Sequence, residues 1–504
     1  MRPFPRLASL LPAPRDGGAA TLMRRAFTRL GQGWAPALGW GLGLALSGCA
    51  SLAPTGSGVP ALAVPPAWAA AGPAGQGAAD GAAATPLAQW WQRFGDPDLT
   101  ALVDQALAAN TSVRAARAAL QQARAQVDVQ AAGLQPGVRA SASAQRSRAA
   151  NSTGNSFQAG FDASWEPDVF GRLGSGVRAS EADARAAEAS LADVQVSLAA
   201  EVAVNYLELR GLQQRLAIAR SNLASQQETL QIAQWRLQAG LATSLVSEQA
   251  RAAAEQTAAQ IPTLEASLAQ SRYALAVLTG QAPGALDGAL AAAAPVPQPG
   301  AALALAIPAE TLRQRPDVRA AEQRIAAALQ RVSQADAARY PSFSLSGSVG
   351  LRALTLGALT GGGAVTSALL GSVSVPLLDG GAARAQVRVQ EAALEQARVA
   401  YEAAVLTALQ DVENALAALQ GDRERLTRLQ AAAEAAGNAA LLAQQRYRSG
   451  LIDFQSVLET QRTLLSTQES QSITATSVAA DHVRLYKALG GGWQAQPAEA
   501  LAGP

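Results

Sequence analysis

One cysteine, one histidine and one lysine serve the whole 504-residue chain: Cys49, His482 and Lys487. A single thiol closes no internal disulfide, and one His beside one Cys builds no metal cluster. A Walker phosphate loop is excluded as well, because it needs a Lys after its glycines and Lys487 precedes those near it. This inventory assembles no nucleophile, base and orienting group, so an enzyme is not expected and no cofactor or metal is implied. Aromatic residues make up only 4 %, poor material for a large globular core. Abundant Ala and regularly spaced Leu suggest packed helices instead.

At the N-terminus a short apolar run, "LGWGLGLALSGC", follows Arg24, Arg25 and Arg29. This is the layout of a secretory signal, and the run is too short to span a bilayer as a helix. Leu46-Ser47-Gly48-Cys49 resembles a bacterial lipobox, which makes residues 1–48 a signal peptide and Cys49 the lipidation site, with Met23 as an alternative start. Removing those 48 residues takes six Arg and Asp16, leaving 34 basic and 37 acidic residues. The apparent basic balance belongs to the signal, so nucleic acid is not an expected partner. Residues 49–85, rich in Ala, Pro and Gly, read as an extended tether from the lipid to the body.

The body repeats itself. "RLQAGLATSLVSEQAR", Arg236 to Arg251, returns as "RYRSGLIDFQSVLETQR", Arg446 to Arg462, and Val113-Arg114-Ala115-Ala116 returns as Val318-Arg319-Ala320-Ala321. The first repeat covers 86–280: a helix, a hairpin over 137–167, a long helix over 175–238 and a return helix over 243–280. A linker over 281–310 leads to the second repeat, 311–493, with a hairpin over 342–379, a long helix over 383–448 and a return helix over 453–489. A tail, 494–504, closes the chain. Each long helix is Pro-free and, at about 1.5 Å per residue, about 100 Å long. A globular domain has no use for such a rod. Pro262 is expected to kink the first return helix, since it removes a backbone donor.

Between the helices the period changes to two. Val138, Ala140, Ala142 and Ala144 alternate with Arg139, Ser141, Ser143 and Gln145. Phe157, Phe161 and Trp165 oppose Gln158, Asp162, Ser164 and Glu166. The second half repeats the pattern with Phe343, Leu345, Val349 and Leu351 against serines, then with Val373, Val375 and Leu377. Four strands result, each with one apolar and one polar face. In hydrocarbon every backbone polar group must be paired, so an open four-stranded sheet cannot span a membrane alone. Three chains closing a twelve-stranded barrel solve the problem, with the polar faces lining a watery lumen and the apolar faces meeting lipid. The fold class expected is therefore a mixed one, a transmembrane β-barrel continued by a helical barrel, in a trimer.

"WWQRFGDPDLTALVDQAL", "SWEPDVFGR", "RQRPDVRAAE", "RYRSGLIDFQSVLETQR" and the terminal "LYKALGGGW" resemble the outer-membrane efflux proteins of the TolC type, in the lipidated NodT-like branch that works with RND pumps. The resemblance covers nearly all of the mature chain and implies an outer-membrane, periplasm-reaching homotrimer that acts as a passive conduit. It also implies two partners, a periplasmic adaptor and an inner-membrane RND transporter. The repeated turns become periplasmic tips, with Gly240, Leu241, Thr243, Gly450 and Leu451 as adaptor contacts. By the same resemblance Glu459 lines a carboxylate ring at the pore gate, while Ser456 falls where TolC is acidic. Tyr447 matches a tip Tyr that ties neighbouring coils, and the basic partner expected a few residues on is here Ile452. A Gly in each tip lets the chain reverse, and Asp453 reads as a helix N-cap. Two other readings stand beside this one. One is the outer-membrane duct of a type I protein secretion system. The other is a structural coiled-coil envelope lipoprotein, against which the four strands argue.

Overall fold

Two helices of 67 residues each, Arg172–Gln238 and Ala382–Arg448, are the longest elements among the described residues. They appear in a computed structural model that describes residues 59–60, 64–71, 87–149, 152–299 and 308–493. Cys49, the signal and the tail lie outside the described residues. In chain order a 3-10 turn, Leu87–Phe94, leads to α1 (Pro97–Ala109), α2 (Thr111–Ala132), β1 (Gly137–Ala149), β2 (Ser152–Trp165) and the long α3 (Arg172–Gln238). There follow α4 (Ser244–Ala258), α5 (Gln260–Leu278), α6 (Pro308–Gln314) and α7 (Pro316–Ala337). The chain continues through β3 (Ser342–Ala353), β4 (Val365–Ser374), the long α8 (Ala382–Arg448) and α9 (Phe454–Ala488).

Local chemistry sets the boundaries. Asp96 accepts from the Leu99 N–H at 3.0 Å with Pro97 in the first turn of α1, and Asn110 caps α2 through the Ser112 N–H at 2.7 Å. Positive-φ glycines, Gly171 and Gly381, open the two long helices. The first return segment is broken at Ala259, three residues before Pro262, into α4 and α5. Pro262 supplies no N–H for a carbonyl one turn earlier, and the second return helix, α9, has no Pro and runs unbroken.

The long helices act as shared walls. Nearer the sheet, α3 packs against α2 and α7, and α7 packs against α8. Nearer the tips, α3 packs against α4, α5 and α9, and α9 against α8. Where the levels meet, Trp90, Phe94, Val103, Tyr206, Leu209 and Tyr486 form the main core. The two ends of the body close on each other there. Trp90 stacks on Tyr486 with centroids 5.4 Å apart, and the Gly492 N–H donates to the Leu87 carbonyl at 2.9 Å. A Cβ on Gly491 would fall 3.0 Å from the Leu87 and Tyr486 carbonyl oxygens, which is why a small residue sits there.

Two expected spacers are docked wherever they are described. Trp68 of the tether is 5 % exposed and packs among Val412, Leu416, Leu419 and Leu485. The Glu413 carboxylate accepts from the Ala69 and Ala70 N–H groups at 2.7 and 2.9 Å. In the linker, Leu286 and Leu290 join the main core, and the buried Arg210 donates to the Ala292 carbonyl at 2.8 Å. Composition alone could not separate a strap from a spacer, because a few apolar side chains do the docking.

The strands form one antiparallel sheet in the order β1-β2-β3-β4. Register decides its chemistry. Val138 pairs with Ala163, Ala140 with Phe161 and Ala144 with Phe157. Phe161 in turn pairs with Val349, Trp165 with Leu345, and Phe343 with Val373. The apolar faces of all four strands therefore coincide. On the other face Arg139 pairs with Asp162, Asp162 with Ser348, and Ser344 with Ser372. Gly160 and Gly350 pair on that polar face, where a Cβ on either would meet backbone at 2.6 to 2.7 Å.

Candidate functional site

Both tips end in the same hydrogen-bonded turn. The Gly240 N–H donates to the Leu237 carbonyl at 3.0 Å and the Leu241 N–H to the Arg236 carbonyl at 2.8 Å. Gly450 and Leu451 repeat this toward Tyr447 and Arg446, at 2.9 Å each. These are Schellman motifs, and the left-handed φ they require, 72° at Gly240 and 75° at Gly450, explains the glycines. In this motif the residue after Gly ordinarily packs an apolar side chain on the helix's last turn. Here Arg236 and Arg446 occupy that place, and the leucines stay out in solvent: Leu241 is 77 % and Leu451 73 % exposed. Trp235 and Leu245, close to Leu241 along the chain, and Leu441 and Leu442, further up α8, are exposed too.

The tips differ after the turn. Thr243 is exposed and makes no side-chain cap bond. Asp453 accepts from the Ser456 hydroxyl at 2.6 Å and the Ser456 N–H at 3.0 Å, bonds that hold its carboxyl below the usual carboxylate range. Tyr447 lies in the tip's own core, 4 % exposed, edge-on to Phe454 at 5.7 Å. Its basic partner comes from the other repeat of the same chain. The Arg236 guanidinium sits 4.4 Å from the Tyr447 ring centroid and donates to the Tyr447 carbonyl at 2.7 Å. Arg448 pairs with Glu228, and Gln461 donates to Thr229 at 2.9 Å, so α3 is tied to both α8 and α9. Glu459 is exposed and has no hydrogen-bonded or ionic partner among the described residues. Sequence reading missed Arg236 because it sought the partner of Tyr447 downstream; the repeat itself carried the signal, since Arg236 stands where the second copy has Arg446.

Among the described residues no helix is long and apolar enough to cross a membrane, and no group of His, Cys, Asp and Glu could hold a metal ion. The sheet leaves β1 and β4 as unpaired edges, with Val138, Phe161, Val349, Leu369 and Val373 exposed on its apolar face. Such edges cannot stand open in lipid. Rods of this length, joined to an unclosed amphipathic sheet, define the fold class of the trimeric outer-membrane channels, a helical tunnel continued by a β-barrel.

The family described as "Outer membrane efflux protein" matches residues 102–281 and 307–491, and the chain belongs to it. It is 35 % identical over 459 residues to the pyoverdine export outer membrane protein OpmQ of Pseudomonas putida, covering 86 % of this chain and 94 % of that one. Nodulation protein T of Rhizobium leguminosarum is 30 % identical, over 83 % of this chain and 87 % of its own. The solved outer-membrane channel OprN superposes with a TM-score of 0.79 at 35 % identity, covering 87 % of this chain and 100 % of the other. The protein is an outer-membrane efflux channel of the TolC and NodT type, with its helices extending into the periplasm.

Proposed function

We propose that three copies of this chain close their sheets into one twelve-stranded barrel and serve as the exit duct of a tripartite RND-type efflux pump. Cys49 carries the lipid that holds the N-terminus at the membrane. Transport through the duct is passive: the inner-membrane transporter supplies the energy, and a periplasmic adaptor engages the tips and spreads them. The observation that carries this reading is the pair of equivalent turns at the far end of the long helices, each offering an unpacked leucine, Leu241 and Leu451. An apolar side chain with nothing to bury against in its own chain fits an apolar patch on another protein. Gly240, Thr243 and Gly450 shape that contact, and Glu459, two turns beyond Asp453, faces the constriction. Small-molecule efflux is favoured over a protein secretion duct by the relative named for pyoverdine export.

The test replaces Leu241 or Leu451 with Asp. Each variant should assemble as stably as wild type and fail to support efflux in a strain that depends on it, while a Cys at either position crosslinks to the adaptor. Full resistance in both Asp variants would refute the tip assignment.

A further inference from the structure

The apolar face of the first hairpin ends abruptly. From Val138 to Ala144 on β1 and from Phe157 to Trp165 on β2 every residue on that face is apolar. One pair further toward the hairpin turn the same face carries Arg146 opposite Asn155, and then Arg148 opposite Thr153. All four are exposed, and neither arginine has a hydrogen-bonded or ionic partner among the described residues. No Asp or Glu occurs between Arg139 and Asp162, nor between Ser342 and Leu378, so nothing at this end of the sheet neutralises them. Arginines bound for the lumen would have the opposite parity, as Arg139 and Arg352 do.

Their height follows from strand geometry. With a rise of about 3.3 Å per residue and a tilt of about 40°, Arg146 lies about 20 Å and Arg148 about 25 Å above Val138 along the barrel axis. The outward apolar band of such barrels is about 25 Å tall. The helices join the sheet at the Val138 end, so the Arg148 end of β1 faces the cell exterior. The two guanidiniums therefore stand at the outer boundary of the hydrocarbon, pointing at the surrounding lipid and not into the channel. Guanidinium forks match phosphate oxygens bidentately.

We propose that Arg146 and Arg148 form a docking site for phosphate-bearing lipid headgroups of the outer leaflet. The site rests on the barrel reading above and goes beyond it, since conduction does not require it. Three such pairs ring the barrel and fix its depth by clamping it to the anionic surface, whereas Arg139 and Arg352 act on what passes inside.

The experiment measures lipid retention by native mass spectrometry of the full-length channel. Its probes are a bis-phosphorylated glycolipid, the same glycolipid with its phosphates removed, and phosphatidylethanolamine. Near an anionic surface each guanidinium is worth roughly five-fold in affinity, so R146Q/R148Q should lose about thirty-fold for the phosphorylated lipid alone. R139Q, on the same strand but the opposite face, should retain it as wild type does. Millimolar inorganic phosphate should not displace it, since the hydrocarbon contact supplies much of the binding. Planar-bilayer conductance keeps the readings apart. Normal conductance with unchanged retention in R146Q/R148Q, equal loss in R139Q, or displacement by free phosphate would overturn this proposal alone. A wild-type protein that gives no conductance would overturn the barrel reading and this site with it.

Discussion

Removing the Arg236 guanidinium should loosen the tips without unfolding the protein. Arg236 leaves the last turn of α3, stacks on Tyr447 and donates to the Tyr447 carbonyl at 2.7 Å, so it holds the C-terminal end of α8 where the helix dipole favours a cation. The half-exposed cation–π contact is worth about 1 kcal/mol. The charged hydrogen bond adds about 1 kcal/mol, less than the usual range for a charged donor, because water reaches this carbonyl once the side chain is gone. Together they amount to about 2 kcal/mol, or about 30-fold in the equilibrium between closed and open tips if opening breaks both contacts. Arg236→Met keeps an unbranched side chain at that place and deletes both interactions. Single-channel recording should show open probability rising by about that factor, with trimer melting nearly unchanged because the core around Trp90 and Tyr206 is untouched. Arg236→Lys keeps the charge but not the flat stack, and should fall between. With Tyr447→Leu already present the same Arg change should do far less, since the ring contact is gone. An open probability within twofold of wild type, or a full effect in the Tyr447→Leu background, would refute the idea that Arg236 holds the tips closed.

Two further substitutions probe separate parts of the molecule. Glu459→Gln is nearly isosteric and should leave melting unchanged while reducing cation selectivity and block by multivalent cations at low ionic strength, where screening is weakest; unchanged selectivity there would place Glu459 on a solvated face. His482 accepts from Arg423 at 2.9 Å, and burial first, then the charges of Arg423 and Arg93, push its pKa down to about 4. The unfolded chain takes up this proton near pH 6.5 and the folded one only near 4, so stability is lost as pH falls through that window. His482→Gln should flatten the decline in melting temperature between pH 6.5 and 4. An unaltered slope would mean that other groups carry the acid response.

Sequence by itself determined the parts whose causes are local. The two rods follow from long Pro-free stretches, the first three strands from period-two alternation, and the tips from a Gly that alone tolerates the left-handed turn. The fourth strand was expected around Val373, Val375 and Leu377 but lies at Val365–Ser374, where Ala368, Leu369 and Leu370 break the alternation and pairing with β3 sets the strand instead. Asp453 was legible as a cap because its acceptor reaches only three residues on. Repetition within the chain gave the two-part plan, and ordered motifs gave the family. Tertiary structure decided everything that depends on which distant residues meet. Arg236 became the partner of Tyr447 only when two turns about 210 residues apart came side by side. The tether became a strap because Trp68 found a pocket between α8 and α9. Gly491 and Gly492 gained their reason when they met Leu87 and Trp90. Register made the last difference: each strand announced two faces, but only pairing Phe161 with both Ala140 and Val349 put the apolar sides together and left Arg146 and Arg148 at their outer rim. Propensity and period act over a few residues, whereas register and packing are settled by the whole set of contacts at once.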